Sequence, residues 1–417
     1  MKKMLIMAIA CQMAAISFAN NKSSRSVQKD TDFFLESKRR ADLGKATGQF
    51  GLGMCYMLGT GIAKNESEAV KWFRKAADQG NIDAQYMLGN CYLNGFGVIK
   101  NELEAIIMLR KAAEQGHANA QFQLGACYLK GDGVAEDKLE ALSWILKAAK
   151  QGNIDAQIWL GSCYLKGDGV AKNEQEAMKW FRRAAELGDI GAQCMLGIFY
   201  LNGIGIGKNE NEAVKWFRRA AELGDANAQY NLGMCYYSGD GVDRDAYEAV
   251  KWLRKAAVQG EMKAQCMFGC CYLDGTGVAK DKIEAVKWLR KAAEQGDMNA
   301  QEMLGCCYLG GLGVSENKFE AIRWFRKAAE QGSIKAQVTL WRCYQEGDGV
   351  VKNEYEAMKW LHKAAEQGCM TAQGMLGCCY LEGKGIAKNK PEAMKWLRKA
   401  AAQGDKDAIT ILNEIQP

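Results

Sequence analysis

Residues 84–119 read AQYMLGNCYLNGFGVIKNELEAIIMLRKAAEQGHAN. Ala84, Leu88 and Tyr92 fall at i, i+4 and i+8, the stripe of one buried helix face. Gly95 and Gly97 interrupt it with backbone freedom that other residues lack. Asn101, followed three residues later by Glu104, is the pattern of a capping box opening a second helix. That helix turns Ala105, Ile106, Met108, Leu109 and Ala112 inward, carries Arg110 and Lys111 late, and stops at Gly116. The stretch predicts one helix–turn–helix unit.

The unit recurs. A Tyr stands at 56, 92, 128, 164, 200, 236, 272, 308, 344 and 380, a period of 36 residues without insertion or deletion. The Asn/Asp-x-x-Glu pattern returns in every block, from Asn65 and Glu68 to Asn389 and Glu392. A fixed period of this length means stacked copies of one supersecondary unit, each burying its apolar face on its neighbours. The expected fold is all-α, an α/α solenoid of about ten repeats over 48–407. Half-repeat caps close it: a degenerate helix at about 30–47, and a last half-helix over 408–417.

Composition agrees, with 48% apolar and 25% charged residues and only 2 prolines among 417 residues. A net charge of +6, without long Lys/Arg blocks, argues against a nucleic-acid partner. The first residues resemble an export leader: basic Lys2 and Lys3, an apolar run from Leu5 to Ala19, and small residues at Ser17 and Ala19. Cleavage after Ala19 is expected, giving a periplasmic or secreted protein; a lipidated Cys11 is the alternative. The run is too short to span a bilayer comfortably, so no membrane insertion is expected. Residues 20–29 are polar and read as a disordered linker.

The recurring pattern A-Q-x-x-L-G-x-C-Y-x-x-G-x-G-V-x-K-N-x-x-E-A-x-K-W-F/L-R-K-A-A-E-Q-G resembles the Sel1-like repeat, a relative of the tetratricopeptide repeat. The resemblance implies a right-handed superhelix of antiparallel helix pairs, first helices on the concave side, and work as an adaptor between proteins. The family also includes exported, cysteine-rich bacterial members, some of which bind penicillin. Two departures stand out. Met108 replaces the second-helix Trp in one block, and Trp341-Arg342 replaces Gly-x in another, where a bend is expected.

Nine of the 16 cysteines form one column just before the Tyr, at 55, 91, 127, 163, 235, 271, 307, 343 and 379, with Phe199 in the remaining place. Cysteine-rich relatives bridge helices with two cysteines per unit, yet the second helices here contain none. Equivalent positions in packed helices lie about 8–10 Å apart, while a disulfide needs Cβ atoms at about 4 Å. The column is therefore read as buried thiols acting as small hydrophobes. The i, i+4 pair Cys266 and Cys270 has a spacing that can share a soft metal ion, but variable residues on a binding face are the simpler reading, and no metal is assigned.

Recognition columns vary where framework columns repeat. The varying first-helix positions fall opposite the buried stripe, on the face that the resemblance makes concave. Along it lie Phe50, Met54, Tyr86, Asn90, Phe122, Ile158, Ile198, Tyr230 and Met234, edged by Lys130 and Lys166. Cys266, Cys270, Glu302, Cys306, Arg342 and Cys378 continue it. Aromatic anchors in a groove suit a peptide or helix of a partner protein.

No catalytic set assembles from two scattered histidines. The Gly-x-Gly loops lack the lysine of a phosphate cradle, and no cofactor is expected. Ser26-Val27-Gln28-Lys29 spells S-x-x-K, with no K-T-G or S-D-N to complete a β-lactam site. The expectation is an exported, non-enzymatic protein–protein interaction scaffold. The alternatives are a weak β-lactam-binding or hydrolysing protein, and a cytosolic adaptor that keeps its N-terminus.

Overall fold

The computed structural model describes residues 24–415, and the expected leader and its cleavage point lie outside them. Among the described residues there are 22 helices and no strands. After an N-terminal helix, Ser24–Asp42, pairs of helices alternate to the last, Lys406–Ile415, as an α/α solenoid of helix–turn–helix repeats. By packing, one unit runs to Ala192 and includes Ile204–Ile206; a second comprises Gln193–Gly203 and the chain from Gly207 onward.

The repeat at 82–117 shows how the sequence makes the unit. Asn81 accepts a hydrogen bond from the Ala84 amide at 2.8 Å and opens the first helix, Ile82–Asn94. Gly95 stops it at φ 75°, and Gly97 follows at φ 67°, both in the left-handed region. Asn101 then accepts from the Glu104 amide at 3.2 Å and opens Glu102–Glu114.

The capping box is only half formed. The Asn101 amide donates to the Tyr92 carbonyl at 2.9 Å, tying the second helix back to the first, so the Glu carboxylate is free for other partners. Glu68 pairs with Lys71 at 2.6 Å, and Glu140 accepts from the Trp144 indole at 2.8 Å.

Packing inside a repeat is governed by the glycine column. A Cβ on Gly125 would lie 2.5 Å from Ile145 Cγ1 and 2.9 Å from the Ala141 carbonyl oxygen, so the two helices meet at backbone distance. Alanine columns on both helices are fully buried beside it, Ala105, Ala112 and Ala120 among them. Most loops also lean on the preceding repeat, Gly169 being an exception. A Cβ on Gly97 would stand 2.2 Å from the Glu66 carbonyl oxygen, and one on Gly133 2.5 Å from that of Glu102.

Successive repeats are joined by two ladders. On one, the Gln that closes most second helices donates to a first-helix Gln, as Gln151 does to Gln121 at 2.7 Å; Gln121 in turn donates to the Ala113 carbonyl of the preceding repeat at 3.0 Å. The other runs from second-helix arginines to the column of tyrosines, as from Arg74 to Tyr92 at 2.7 Å and from Arg110 to Tyr128 at 2.5 Å. The late basic residues do more than answer the helix dipole. Lys147 lies 3.9 Å from the Trp144 ring centroid and Arg183 4.7 Å from that of Trp180.

The N-terminal helix begins at Ser24, earlier than the sequence pattern implies, so 24–29 are helical rather than part of a disordered linker. Gln28 supports this first stretch by donating to Asp32 one turn on at 2.9 Å. The helix takes the place of a second helix before the first repeat: Phe34 meets Tyr56 edge-on, ring centroids 6.4 Å apart. Trp341 breaks neither of its helices, Ile334–Glu346 and Glu354–Glu366. Its half-buried ring packs against the core that includes Met358 and Leu361.

Candidate interaction surface

The expected recognition columns lie along the seams between neighbouring first helices, and their exposure is uneven. Phe50, Met54, Tyr86, Phe122, Ile158, Ile198, Tyr230, Met234, Cys270, Glu302 and Cys378 are half-buried. Lys130, Lys166, Cys306 and Arg342 are exposed. Asn90 and Cys266 are buried, at 5% and 6%, and are thereby removed from the surface on which the sequence pattern puts them. The physical reason is packing: Cys266 is enclosed in the core that includes Ala300 and Leu304 of the following repeat, and Asn90 lies against Tyr86 one turn back.

In the first unit, Phe50 tilts against Phe73 with ring centroids 5.9 Å apart. Tyr86 stacks on His117 at 4.5 Å. His117 also caps the next first helix, its Nδ1 accepting from the Ala120 amide at 3.0 Å, which needs an unprotonated Nδ1. Burial lowers the imidazole pKa and favours that form, against the opposing pull of Asp83. In the second unit, Glu302 accepts from the Ser333 hydroxyl at 2.7 Å and lies 3.7 Å from Lys335. Cys270 Sγ lies 3.2 Å from Met303 Sδ across the seam.

The cysteine column is buried throughout, from Cys55 at 0% to Cys379 at 6%, and Phe199 fills the missing place at 1%. None of the described cysteines is in a disulfide. Burial pushes the Cys91, Cys127 and Cys235 thiols up to about 12 and those of Cys55 and Cys163 up to about 11, so they stay protonated and unreactive at neutral pH. Where Cys266 and Cys270 face each other one turn apart, each thiol acts on the other, raising the pKa of Cys266 and lowering that of Cys270. Among the described residues no three His, Cys, Asp or Glu side chains cluster as metal ligands. No described helix is long and apolar enough to cross a membrane.

The largest exposed apolar groups lie elsewhere. The residue two places after the Asn/Asp cap of each second helix points outward, and Leu103, Leu139, Tyr247, Ile283, Phe319 and Tyr355 there are 61–77% exposed. The signal was present in the sequence as apolar residues at a polar position of an amphipathic helix.

The family model described as Sel1 repeat matches ten segments, 46–81, 82–117, 118–153, 154–189, 190–225, 226–261, 263–297, 299–333, 342–369 and 371–405. The eight residues ending at Trp341 fall outside these matches. The chain is similar in structure to a protective antigen of uropathogenic Escherichia coli strains that displays an SLR fold. The two share 38% identity over 92% of this chain and 82% of that one, with a TM-score of 0.80. A Sel1 repeat protein from Oxalobacter formigenes shares 34% identity over 75% of this chain and 91% of that one, with a TM-score of 0.63. No curated protein matches the chain.

Proposed function

The chain belongs to the Sel1 repeat family, and from that premise we propose that it is an exported, non-enzymatic scaffold whose first-helix faces bind a peptide or helix of another protein. Sel1 and tetratricopeptide-like repeats generally mediate protein interactions and are generally non-catalytic. The observation that carries the reading is the row of half-buried aromatic rings along the first-helix seams. Phe50, Tyr86 and Phe122 in the first unit and Tyr230 in the second each keep part of a ring open while neighbouring repeats hold its orientation. Rings fixed in this way contribute contact area at low entropic cost, as interface anchors do. Lys130 and Lys166, exposed at the ends of Ala118–Lys130 and Ile154–Lys166, supply a basic rim in the first unit.

The test is affinity capture with the mature chain as bait, beside a variant carrying Tyr86→Ala, Phe122→Ala and Tyr230→Ala. Partners should be lost while circular dichroism stays helical; unchanged capture rejects the surface. Nitrocefin turnover by the purified protein would reject the non-enzymatic reading. Intact mass of the protein recovered from the periplasm or medium decides export, since removal of residues 1–19 is expected.

A further inference from the structure

The arginine–tyrosine ladder has a broken rung in the second unit. Arg218 donates to Tyr236 at 2.7 Å, Arg290 to Tyr308 at 2.6 Å and Arg326 to Tyr344 at 2.5 Å. His362 holds the same place 3.2 Å from the Tyr380 hydroxyl. Arg254 and Tyr272 occupy these two columns but are not bonded, and among the described residues Arg254 has no hydrogen-bond or ion-pair partner. The cause lies one turn before Tyr272. Residue 268 is Phe, whereas the column otherwise holds Leu, at 52, 88, 124, 160, 196, 232, 304, 340 and 376. Phe268 is 2% exposed, and its ring centroid lies 4.9 Å from that of Tyr272 and 5.2 Å from that of Trp288. The larger ring engages Tyr272 and keeps it off Arg254.

A cleft of about 560 Å³ opens at this place, between the second helix Ala246–Val258 and the first helix Met262–Asp274 that follows it. Its wall is apolar, with Val250 and Phe268 inside and Tyr247 and Val258, 71% and 67% exposed, at the lip. Its charge is of one sign: Lys251, Arg254 and Lys255 line it, and no carboxylate does. Lys251 is engaged with Glu248 at 2.7 Å, and Lys255 lies 3.9 Å from the Trp252 ring centroid, which leaves Arg254 as the uncommitted cation. Gln259 donates to Gln229 at 2.8 Å, and its own side-chain oxygen has no partner among the described residues.

We propose that this cleft is a binding site for an acidic peptide segment of another protein, separate from the first-helix faces. An apolar side chain seats between Tyr247, Val250 and Val258, and the neighbouring Asp or Glu carboxylate takes the Arg254 guanidinium as a two-pronged partner. A backbone N–H of the peptide donates to the Gln259 oxygen. An apolar wall with an unmatched arginine selects for a chain carrying both properties side by side, which an inorganic anion does not.

The probe is a fluorescein-labelled octapeptide in which Leu and Phe alternate with Glu, titrated against the full chain and read by fluorescence anisotropy. Saturable binding is expected, weakened about tenfold or more in Arg254→Gln, which removes the charge without touching the core. Phe268→Leu restores the residue usual in this column, lets Tyr272 return to Arg254, and should weaken binding by a similar factor with helix content unchanged. Absence of binding, equal binding of the peptide with Gln for Glu, displacement by equimolar inorganic phosphate, or unchanged affinity in both variants would each overturn the assignment. A variant carrying Tyr86→Ala and Phe122→Ala, both in the first unit, should bind the peptide as the parent does, which separates this site from the first-helix faces.

Discussion

The side-chain amide of Gln151 donates to the side-chain oxygen of Gln121 at 2.7 Å, and each first-helix Gln in such a pair is buried. Gln157 donates to the Ala149 carbonyl at 3.0 Å but leaves its own oxygen buried without a partner. The residue closing the following second helix is Leu187, 54% exposed, where most repeats have Gln and only Leu223 shares the change. Leu187→Gln should supply the missing donor and stabilise the repeat at 154–189 by about 1 kcal/mol. Hydrogen exchange reads this directly: the core amides of Ile154–Lys166 and Glu174–Glu186 should exchange more slowly. Unchanged or faster exchange there would show that the unmet oxygen costs nothing.

A second gain is available at the start of a first helix. Asn153, Asp225, Asp297 and Ser333 each accept from an amide three residues on, whereas Cys369 makes no side-chain cap bond. Cys369→Asp should stabilise Met370–Glu382 by about 1 kcal/mol. The expected readout is slower amide exchange confined to that helix and its neighbours.

Unlike the ninth repeat, where Trp341 occupies the glycine column, the repeat built on Gly125 should tolerate nothing larger there. Gly125→Ala places a methyl group against Ile145 and the Ala141 carbonyl, and should destabilise its repeat by about 1–3 kcal/mol despite the better helix propensity of Ala. If exchange in Ala118–Lys130 and Lys138–Lys150 instead slowed, the close approach of the two helices would be wrong.

The thiols predict a pH dependence with a defined sign. The Cys127 pKa is pushed up by burial to about 12, above its unfolded value, so the folded state holds the proton more tightly. Its contribution to stability is whole below about pH 8.5, the unfolded thiol value, and is lost as pH rises through the folded one. Urea unfolding at pH 7.5 and pH 10 should show this loss, and Cys127→Ala should reduce it. Iodoacetamide at pH 8 should modify exposed Cys306 first and leave the buried column untouched until the chain unfolds. Early modification of Cys127 would contradict its burial.

The framework was readable in the residues because equivalent positions meet equivalent neighbours. A Leu or Cys that returns every 36 residues is buried once and therefore buried again, and cap residues and glycines mark the helix ends in the same way. The variable columns carry no such guarantee, since their exposure depends on what the adjoining repeat presents. Asn90 is buried against Tyr86 one turn away, and Cys266 because the following repeat sets Ala300 and Leu304 over it. The cleft beside Arg254 depends on a single change, Phe268 in a leucine column, whose effect on Tyr272 becomes apparent only when the rings are placed together. The outward column from Leu103 to Tyr355 belongs to second helices and so escapes a reading of the first-helix faces, although its apolar residues stand at positions where an amphipathic helix is ordinarily polar.

The loop glycines that press on the previous repeat's backbone bear on how such a chain can change length over generations. A single residue added beside Gly97 or Gly133 would shift a turn that already touches the carbonyl of Glu66 or Glu102, so small insertions should be purged. Duplication or loss of an entire module re-creates every one of these contacts. Lineages descended from this gene should therefore differ by whole modules, and seldom by anything less.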